Sequence, residues 1–292
     1  MKVFLSFFIF VSVTFANLIP TPLFTDPESM QRIGWEATME HLEEANLFSQ
    51  NNGISFVKLR VDFPETFLGV ISDQTWDRLI YLVGIDSLGD RYMRFTKAYG
   101  DWQSSSYFRS PRGVTCDSTV FNSRPDSYFV YIADSYNDRI VRCYYDANTD
   151  TMLFYDNMLS DSLSHPEDVA CVSISSGGSY MIIADTDNHR FRIVKINSNL
   201  TYSIEKTYGS EGSGTGQFKY PTSVAMVACP DSSNYYRIYI VDQYNFRIVS
   251  LLYNSSTNSV SWERVYTDAT KTVGFQAVTS NPYYCVYVTD GA

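Results

Sequence analysis

One stretch decides the fold of this 292-residue chain: Tyr128-Phe129-Val130-Tyr131-Ile132-Ala133-Asp134-Ser135-Tyr136-Asn137-Asp138-Arg139-Ile140-Val141-Arg142-Cys143-Tyr144-Tyr145. β-Branched and aromatic residues fill both of its ends, and these residue types favour strands. Its centre carries Asp and Asn, which hydrogen-bond their own backbone and close turns. The stretch therefore predicts two antiparallel strands joined by a tight turn.

The same pattern returns from Ile182 to Phe191 and from Tyr239 to Ile248. An apolar run that opens with Pro, two residues and Val precedes each copy, and another alternating run follows it. The prolines are evenly spaced along the chain, at Pro111, Pro166 and Pro221. Each unit therefore holds four strands, named a to d. Repeated four-stranded antiparallel units predict an all-β fold, a β-propeller in which each unit is one blade.

Blades 2, 3 and 4 are predicted at Pro111–Tyr155, Pro166–Tyr208 and Pro221–Tyr266. Blade 1 is degenerate: two registers compete for its b–c turn, one at Asp73 and one at Asp86. We prefer Asp73, because Tyr99-Gly100 then ends strand d as Tyr208-Gly209 does in blade 3.

Blade 5 is predicted to begin near Gly274 and to reach only the repeat aspartate, Asp290. About 4.5 blades are therefore counted in residues 52–292. We therefore expect an incomplete ring of blades, and we interpret the chain as a fragment of a longer protein or as an incomplete gene model.

The first 51 residues do not follow the repeat. Residues 1–16 resemble a secretory signal, with Lys2, an apolar core and a small residue at Ala16, so we expect a secreted or extracellular protein, or a periplasmic one in a Gram-negative source. Residues 17–51 form a predicted N-terminal helical segment, because Thr25-Asp26-Pro27-Glu28 is typical of a helix start.

Composition limits the functional classes. The chain is 45% hydrophobic, which suffices for a large core, and its net charge is −10. An acidic surface argues against binding to nucleic acid, which needs a basic stripe. No apolar run is long enough to predict a membrane span. Five cysteines are few for a disulfide scaffold, and we interpret Cys116 and Cys171 as buried apolar residues.

These motifs together resemble the NHL repeat. The resemblance rests on Pro-x-x-Val, an apolar strand b, Asp-x-x-Asn-x-Arg, and the glycine-rich lead-in from Gly209 to Phe218. It covers about residues 52–292 and is strongest in blades 2, 3 and 4. It implies a six-bladed propeller. It also leaves an enzyme open as the alternative, because relatives include metal-dependent peptidyl-hydroxyglycine lyases, and six-bladed propellers include lactonases and esterases.

We interpret the motif residues as structural, because a catalytic group would not need to appear in every blade. The Asp is expected to accept backbone N–H bonds in the turn, the Asn to take positive φ, and the Arg to reach back to the carboxylate. These residues are Asp73 and Arg78 in blade 1, Asp134, Asn137 and Arg139 in blade 2, Asp185, Asn188 and Arg190 in blade 3, and Asp242, Asn245 and Arg247 in blade 4.

The preferred function is binding of a protein, glycan or small ligand on the face that the b–c turns and d–a loops share. Candidate residues on this top face are Tyr136, His165, His189 and Tyr244. We predict no catalytic residue, cofactor or metal, since two histidines fall short of the three protein ligands usual for catalytic zinc. The sequons at Asn199 and Asn254 predict glycosylation on the opposite face.

Overall fold

The computed structural model describes residues 51–59, 65–87, 90–100, 108–121, 127–174, 177–230, 232–267, 275–280 and 286–290. The predicted signal and nearly all of the predicted helical segment lie outside these residues, as do His41, Gly274 and Cys285. Asn51, the last residue of that segment, instead begins the first strand.

The described residues form four antiparallel sheets of four strands and one pair of strands. Blade 1 contains β1 (Asn51–Lys58), β2 (Glu65–Asp73), β3 (Arg78–Ser87) and β4 (Asp90–Tyr99). Blade 2 contains β5 (Pro111–Asp117), β6 (Ser127–Asp134), β7 (Arg139–Asp146) and β8 (Thr151–Leu159). Blade 3 contains β9 (Pro166–Ser173), β10 (Ser179–Asp185), β11 (Arg190–Ile196) and β12 (Tyr202–Tyr208). Blade 4 contains β13 (Pro221–Ala228), β14 (Tyr235–Asp242), β15 (Arg247–Asn254) and β16 (Ser259–Thr267). The pair is β17 (Phe275–Ser280) with β18 (Val286–Asp290).

Each blade is a meander whose strands pair in chain order, so strands a to d fall where the repeat predicts them. In blade 1 the b–c turn lies between Asp73 and Arg78, which pair across the sheet. The register at Asp86 is therefore wrong. In blade 2 the outer strand continues past the predicted end at Tyr155 to Leu159, because Met158 and Leu159 are both buried against blade 3.

The core lies between successive blades. Every residue of β6 is buried, and its side chains alternate between the two neighbouring blades. Tyr128, Val130 and Ile132 pack with residues of blade 1, whereas Phe129 and Tyr131 pack with residues of blade 3. A strand covered on both faces reads as a continuous apolar run, which explains why strand b gave the clearest signal in the sequence.

Strands a of neighbouring blades lie side by side, so β1, β5, β9, β13 and β17 follow one another in space. Two glycines allow the closest approach between them. A Cβ on Gly53 would lie 2.6 Å from the Arg112 carbonyl oxygen, and one on Gly113 would lie 2.4 Å from Asp168 Oδ1. Larger residues here would force the inner strands apart.

The thiols of Cys116, Cys143 and Cys171 form no disulfide. Cys143 is fully buried, and Cys116 and Cys171 pack at the edge of the cores between blades. Burial raises the pKa of the Cys116 thiol to about 12. Cys116 and Cys171, predicted to be buried, are thus only partly so, whereas Cys143 is fully buried.

Candidate functional site

The b–c turn of blade 2 is built on one buried carboxylate. Asp134 has no exposed surface, and its Oδ1 accepts a hydrogen bond from the Arg109 backbone N–H at 2.6 Å. Its Oδ2 accepts from Asn137 Nδ2 at 2.8 Å and from Arg139 Nε at 2.7 Å. Burial raises the pKa of this carboxyl above its ordinary value, although these hydrogen bonds oppose the shift. One aspartate thus joins the b–c turn to the d–a loop that enters the same blade.

Blades 3 and 4 repeat this arrangement. Asp185 accepts from Asn188 Nδ2, from Arg190 Nε at 2.7 Å and from the Ser164 N–H at 2.9 Å. The corresponding donors to Asp242 are Asn245 Nδ2, Arg247 Nε and the Lys219 N–H. In blade 1, Asp73 accepts from Arg78 Nε at 3.0 Å. In each of the four blades, the arginine five residues after the turn aspartate thus donates to its carboxylate.

One sequence expectation for these turns is wrong: Asn137, Asn188 and Asn245 do not take positive φ. The residues after them do, with φ of 51° at Asp138, 53° at His189 and 51° at Phe246. The three residues after the aspartate form a single 3₁₀ turn, and the next residue closes it in the left-handed region. The Asn side chain is instead used to donate to the aspartate.

The left-handed residue also contacts the next blade, which the sequence analysis missed. Asp77 Oδ1 accepts from the Ser110 N–H at 2.6 Å, and Asp138 Oδ1 accepts from the His165 N–H at 2.7 Å. His189 Nδ1 accepts from the Tyr220 N–H at 3.2 Å at the following junction. We call these three contacts the interblade bonds. In the sequence, the only indication of these bonds is a second aspartate, four residues after the turn aspartate, in blades 1 and 2.

The interblade bonds place aromatic rings on the top face. Tyr136 is 46% exposed, and its ring lies 4.6 Å from the ring of His165 at 89°, centroid to centroid. The Arg109 guanidinium lies 5.8 Å from the centre of the Tyr136 ring. His165 Nδ1 lies 3.2 Å from Asp187 Oδ2 in the b–c turn of its own blade. Tyr136, His165 and Asp187 therefore form one group across the junction of blades 2 and 3.

A second group crosses the junction of blades 3 and 4. The ring of His189 lies 4.5 Å from that of Tyr220, which lies 4.9 Å from that of Tyr244. His189 Nδ1 accepts the Tyr220 N–H, and its Nε2 lies 3.9 Å from Glu211 Oε2. Tyr244 is 58% exposed.

We call the two groups together the top-face ridge: Tyr136, His165, Asp187, His189, Tyr220 and Tyr244. The four candidates from the sequence all lie on it, two in each group. Asp187 and Tyr220 were missed. They occupy positions that recur in each unit, the second residue of the b–c turn and the residue before the proline, and that recurrence could have found them.

The glycine-rich lead-in is fixed beside the second group. Arg247 donates to the carbonyl oxygens of Ser213 and Gln217, and Asn245 Nδ2 donates to that of Gly212. Phe218 at its end is fully buried. The lead-in thus serves as a packed support for the turn of blade 4.

A second polar cluster lies where the strands a of blades 2, 3 and 4 meet. Arg112 Nη1 donates to Glu167 Oε1 at 2.6 Å. Asp168 Oδ2 accepts from Ser223 Oγ at 2.7 Å and from the Val224 N–H at 3.0 Å. Burial raises the pKa of Asp168 to about 6, although these donors oppose the shift. Each of these contacts joins neighbouring blades, which gives the cluster a structural role.

Asn199 and Asn254 lie at the c–d turns, at the other end of the sheets from the ridge. Asn199 is exposed, and Asn254 is partly buried while its Oδ1 accepts from the Ser256 N–H at 2.9 Å. Within the described residues, no three His, Cys, Asp or Glu side chains are grouped so as to hold a metal ion. No helix in the same part of the chain is long and apolar enough to cross a membrane.

Comparison with known proteins supports the fold. No family model and no curated protein matches the sequence. Among solved structures, a putative exo-β-1,3-galactanase from Bifidobacterium bifidum superposes with a TM-score of 0.55 at 13% identity, over 81% of this chain and 80% of that one. The chain is a β-propeller.

Two further propellers are similar at the level of fold. The fucose-specific lectin from Aleuria aurantia matches with a TM-score of 0.55 at 10% identity, over 83% of this chain and 72% of the lectin. A protein from Lactobacillus plantarum matches at 0.50 and 13% identity, over 83% of this chain. The chain spans 64% of the length of that protein. At these identities the comparisons show a shared propeller fold. They do not test the resemblance to the NHL repeat.

Proposed function

We propose that this propeller is a non-enzymatic binding protein whose top-face ridge holds a neutral carbohydrate. The observation that carries the proposal is the pairing of exposed rings with exposed carboxylates across two blade junctions. Tyr136 and Tyr244 are about half exposed, and the side chains of Asp187 and Glu211 are 43% and 66% exposed. This combination suits a ligand with apolar faces and many hydroxyl groups.

Sugars have both features. The C–H face of a pyranose packs on an aromatic ring, and Tyr offers a large ring at low conformational cost. Sugar hydroxyls donate to carboxylates, and such charge-assisted bonds are about twice as strong as neutral ones. Tyr136 remains 46% exposed beside His165 and Arg109, which supports contact of its ring with a ligand. A protein partner is the other occupant that such rings would suit.

The similar structures suggest which sugars to test first. The names of two similar propellers refer to β-1,3-galactan and to fucose. We include both among the candidate ligands of this chain. We also propose that blades 1 to 4 are NHL-type repeats, which is supported by the hydrogen bonds of the turn aspartates.

A screen of immobilised neutral glycans tests the proposal. We expect the purified protein to bind a subset that includes β-1,3-galacto-oligosaccharides or fucosylated chains. His165→Ala and Tyr244→Ala should weaken this binding at least tenfold, about 1.4 kcal/mol. Tyr202→Ala is the matched control, because Tyr202 is 41% exposed on outer strand β12, away from the ridge.

The control should bind as the wild type does. Equal glycan binding by all three variants and the wild type would place the site elsewhere. Binding of no neutral glycan at all would contradict the proposed function.

A further inference from the structure

The ridge has two similar halves in adjacent blade junctions. Each half consists of a residue in the b–c turn of one blade and the residue before the proline of the next. In the first half these are Tyr136 and His165, and in the second they are His189 and Tyr220. Both ring pairs are close to perpendicular, and their centroids lie 4.6 and 4.5 Å apart. Tyr136 stands two residues after its turn aspartate and His189 four after its own, so the halves share the ring contact and not the turn position.

A single short turn joins the two halves. Asp187 pairs with His165 in the first half, and the same turn ends at His189 in the second. The backbone N–H of Asp187 donates to the Ser164 carbonyl oxygen, which holds this turn against the loop that carries His165. Side-chain contacts thus run from Tyr136 through His165 to Asp187, and from His189 through Tyr220 to Tyr244, with one residue, Asn188, between the two series.

From this continuity we infer that the ridge binds one extended neutral oligosaccharide, with sugar units seated on both halves at once. The inference rests on the proposed carbohydrate function and specifies its ligand class. Two weak subsites occupied by one chain gain affinity without a new contact, because the second binding step becomes intramolecular. A ligand long enough to fill both halves therefore binds far more tightly than a single sugar.

The charge of the ridge favours a neutral chain. Asp187 and Glu211 flank the rings with exposed carboxylates, and the chain as a whole carries a net charge of −10. Uronic or sulfated sugars would bring like charges against these groups. Arg109 lies beside Tyr136 at one end of the ridge, and Lys219, directly before Tyr220, is an exposed cation beside the second half.

Calorimetric titration with size-fractionated neutral oligosaccharides tests the inference. The probes are β-1,3-galacto-, cello- and manno-oligosaccharides, from the monosaccharide to the octasaccharide, and uronic oligosaccharides of the same lengths for comparison. We expect the full-length protein to bind two equivalents of a short ligand and one equivalent of a long one. Affinity should rise at least tenfold with length and then level off.

Variants at the two ends give the second readout. Tyr136→Ala and Tyr244→Ala should each remove most of the gain from chain length and reduce the stoichiometry of the short ligand from two to one. Tyr202→Ala should leave both quantities unchanged. Melting temperatures should match the wild type for all three variants, because these side chains are exposed.

One equivalent of short ligand, with no gain from added length, would overturn the inference and leave the proposed function intact. Tighter binding of uronic oligosaccharides than of neutral ones would also overturn it. The absence of binding to every neutral sugar would remove the proposed function itself.

Discussion

At the scale of single residues, the fold depends on carboxylates that are buried and hydrogen-bonded. Asp134, Asp185 and Asp242 have no exposed surface, and each accepts bonds from a loop N–H, an amide and a guanidinium. Removal of a buried acceptor leaves several donors unsatisfied. The resulting loss of folding free energy exceeds what one hydrogen bond contributes. Asp187, two residues from Asp185, is exposed and faces the ridge instead.

This contrast gives the first prediction. Asp185→Ala should lower the free energy of unfolding by about 1–3 kcal/mol, because Asn188, Arg190 and Arg192 lose a common acceptor. Asp187→Ala should change stability by less than about 0.5 kcal/mol and should weaken glycan binding. Urea unfolding and glycan titration of both variants measure the two effects. Equal stabilities of Asp185→Ala and the wild type would show that the aspartate does not fix the turn.

Asp168 gives a pH-dependent prediction. Burial raises the pKa of its carboxyl from 3.8 to about 6. The folded state therefore holds this proton more tightly than the unfolded state does. The stability that Asp168 contributes is fully present below about pH 4 and is lost as the pH rises through about 6.

We expect the free energy of unfolding of the wild type to fall, relative to Asp168→Asn, between pH 4 and pH 7. Urea unfolding of both proteins at intervals across this range provides the difference curve. A constant offset between the two curves would reflect only the altered hydrogen bonds with Ser223 and Val224. Such an offset would contradict the raised pKa.

At the scale of elements, the blades are joined on the top face by the interblade bonds. Asp77, Asp138 and His189 hold equivalent positions and accept from the N–H that precedes the next strand a. Phe246 has the same backbone conformation in blade 4 but carries no acceptor. The side chain at this position therefore decides whether the turn can accept a bond from the next blade.

Substitution at Asp138 tests these bonds. Asp138→Ala should lower the free energy of unfolding by about 0.5–1.5 kcal/mol, since the His165 N–H loses its acceptor. Asp138→Asn retains an acceptor oxygen and tolerates the left-handed conformation, so it should stay near the wild type. Thermal melts compare the two variants. If alanine and asparagine were indistinguishable, the interblade bond would have no part in joining blades 2 and 3.

The sequence predicted the elements well, because each strand b is buried on both faces and each turn repeats the same polar residues. The evenly spaced prolines located β5, β9 and β13, and Tyr99-Gly100 selected the correct register in blade 1. The positive φ was assigned to Asn137 although it belongs to Asp138, because both residue types favour that conformation. Asp187 and Tyr220 escaped notice because their contacts join the b–c turn to the residue before the proline of the same blade, positions far apart in the sequence that only the recurring unit relates.

At the scale of the whole molecule, successive blades pack face to face, and their inner strands a lie side by side. On the top face, the interblade bonds bring side chains from blades 2, 3 and 4 together on the ridge. The similar solved structures share this propeller fold at 10–13% identity. The same fold can therefore be built from very different residues, and function has to be tested at particular side chains such as those of the ridge.

Export is a prediction for the whole chain. Lys2, the apolar run and Ala16 lead us to expect that the protein is secreted after cleavage near Ala16. N-terminal sequencing of protein recovered from the medium measures this directly. A mature chain that still starts at Met1 would contradict it.

Mass spectrometry of the same material, made in a eukaryotic secretory host, would show whether Asn199 and Asn254 carry glycans.

The central claim is that ligands bind on the top face, and amide hydrogen exchange tests it most directly. The full-length protein is measured with and without the tightest-binding neutral oligosaccharide of the length series. We predict slower exchange in the b–c turns at 134–139, 185–190 and 242–247 and in the loops at 164–166 and 218–221. Exchange in the c–d turns at 147–150, 197–201 and 255–258 should not change. Slower exchange in the c–d turns or outer strands, with the b–c turns unaffected, would contradict the account.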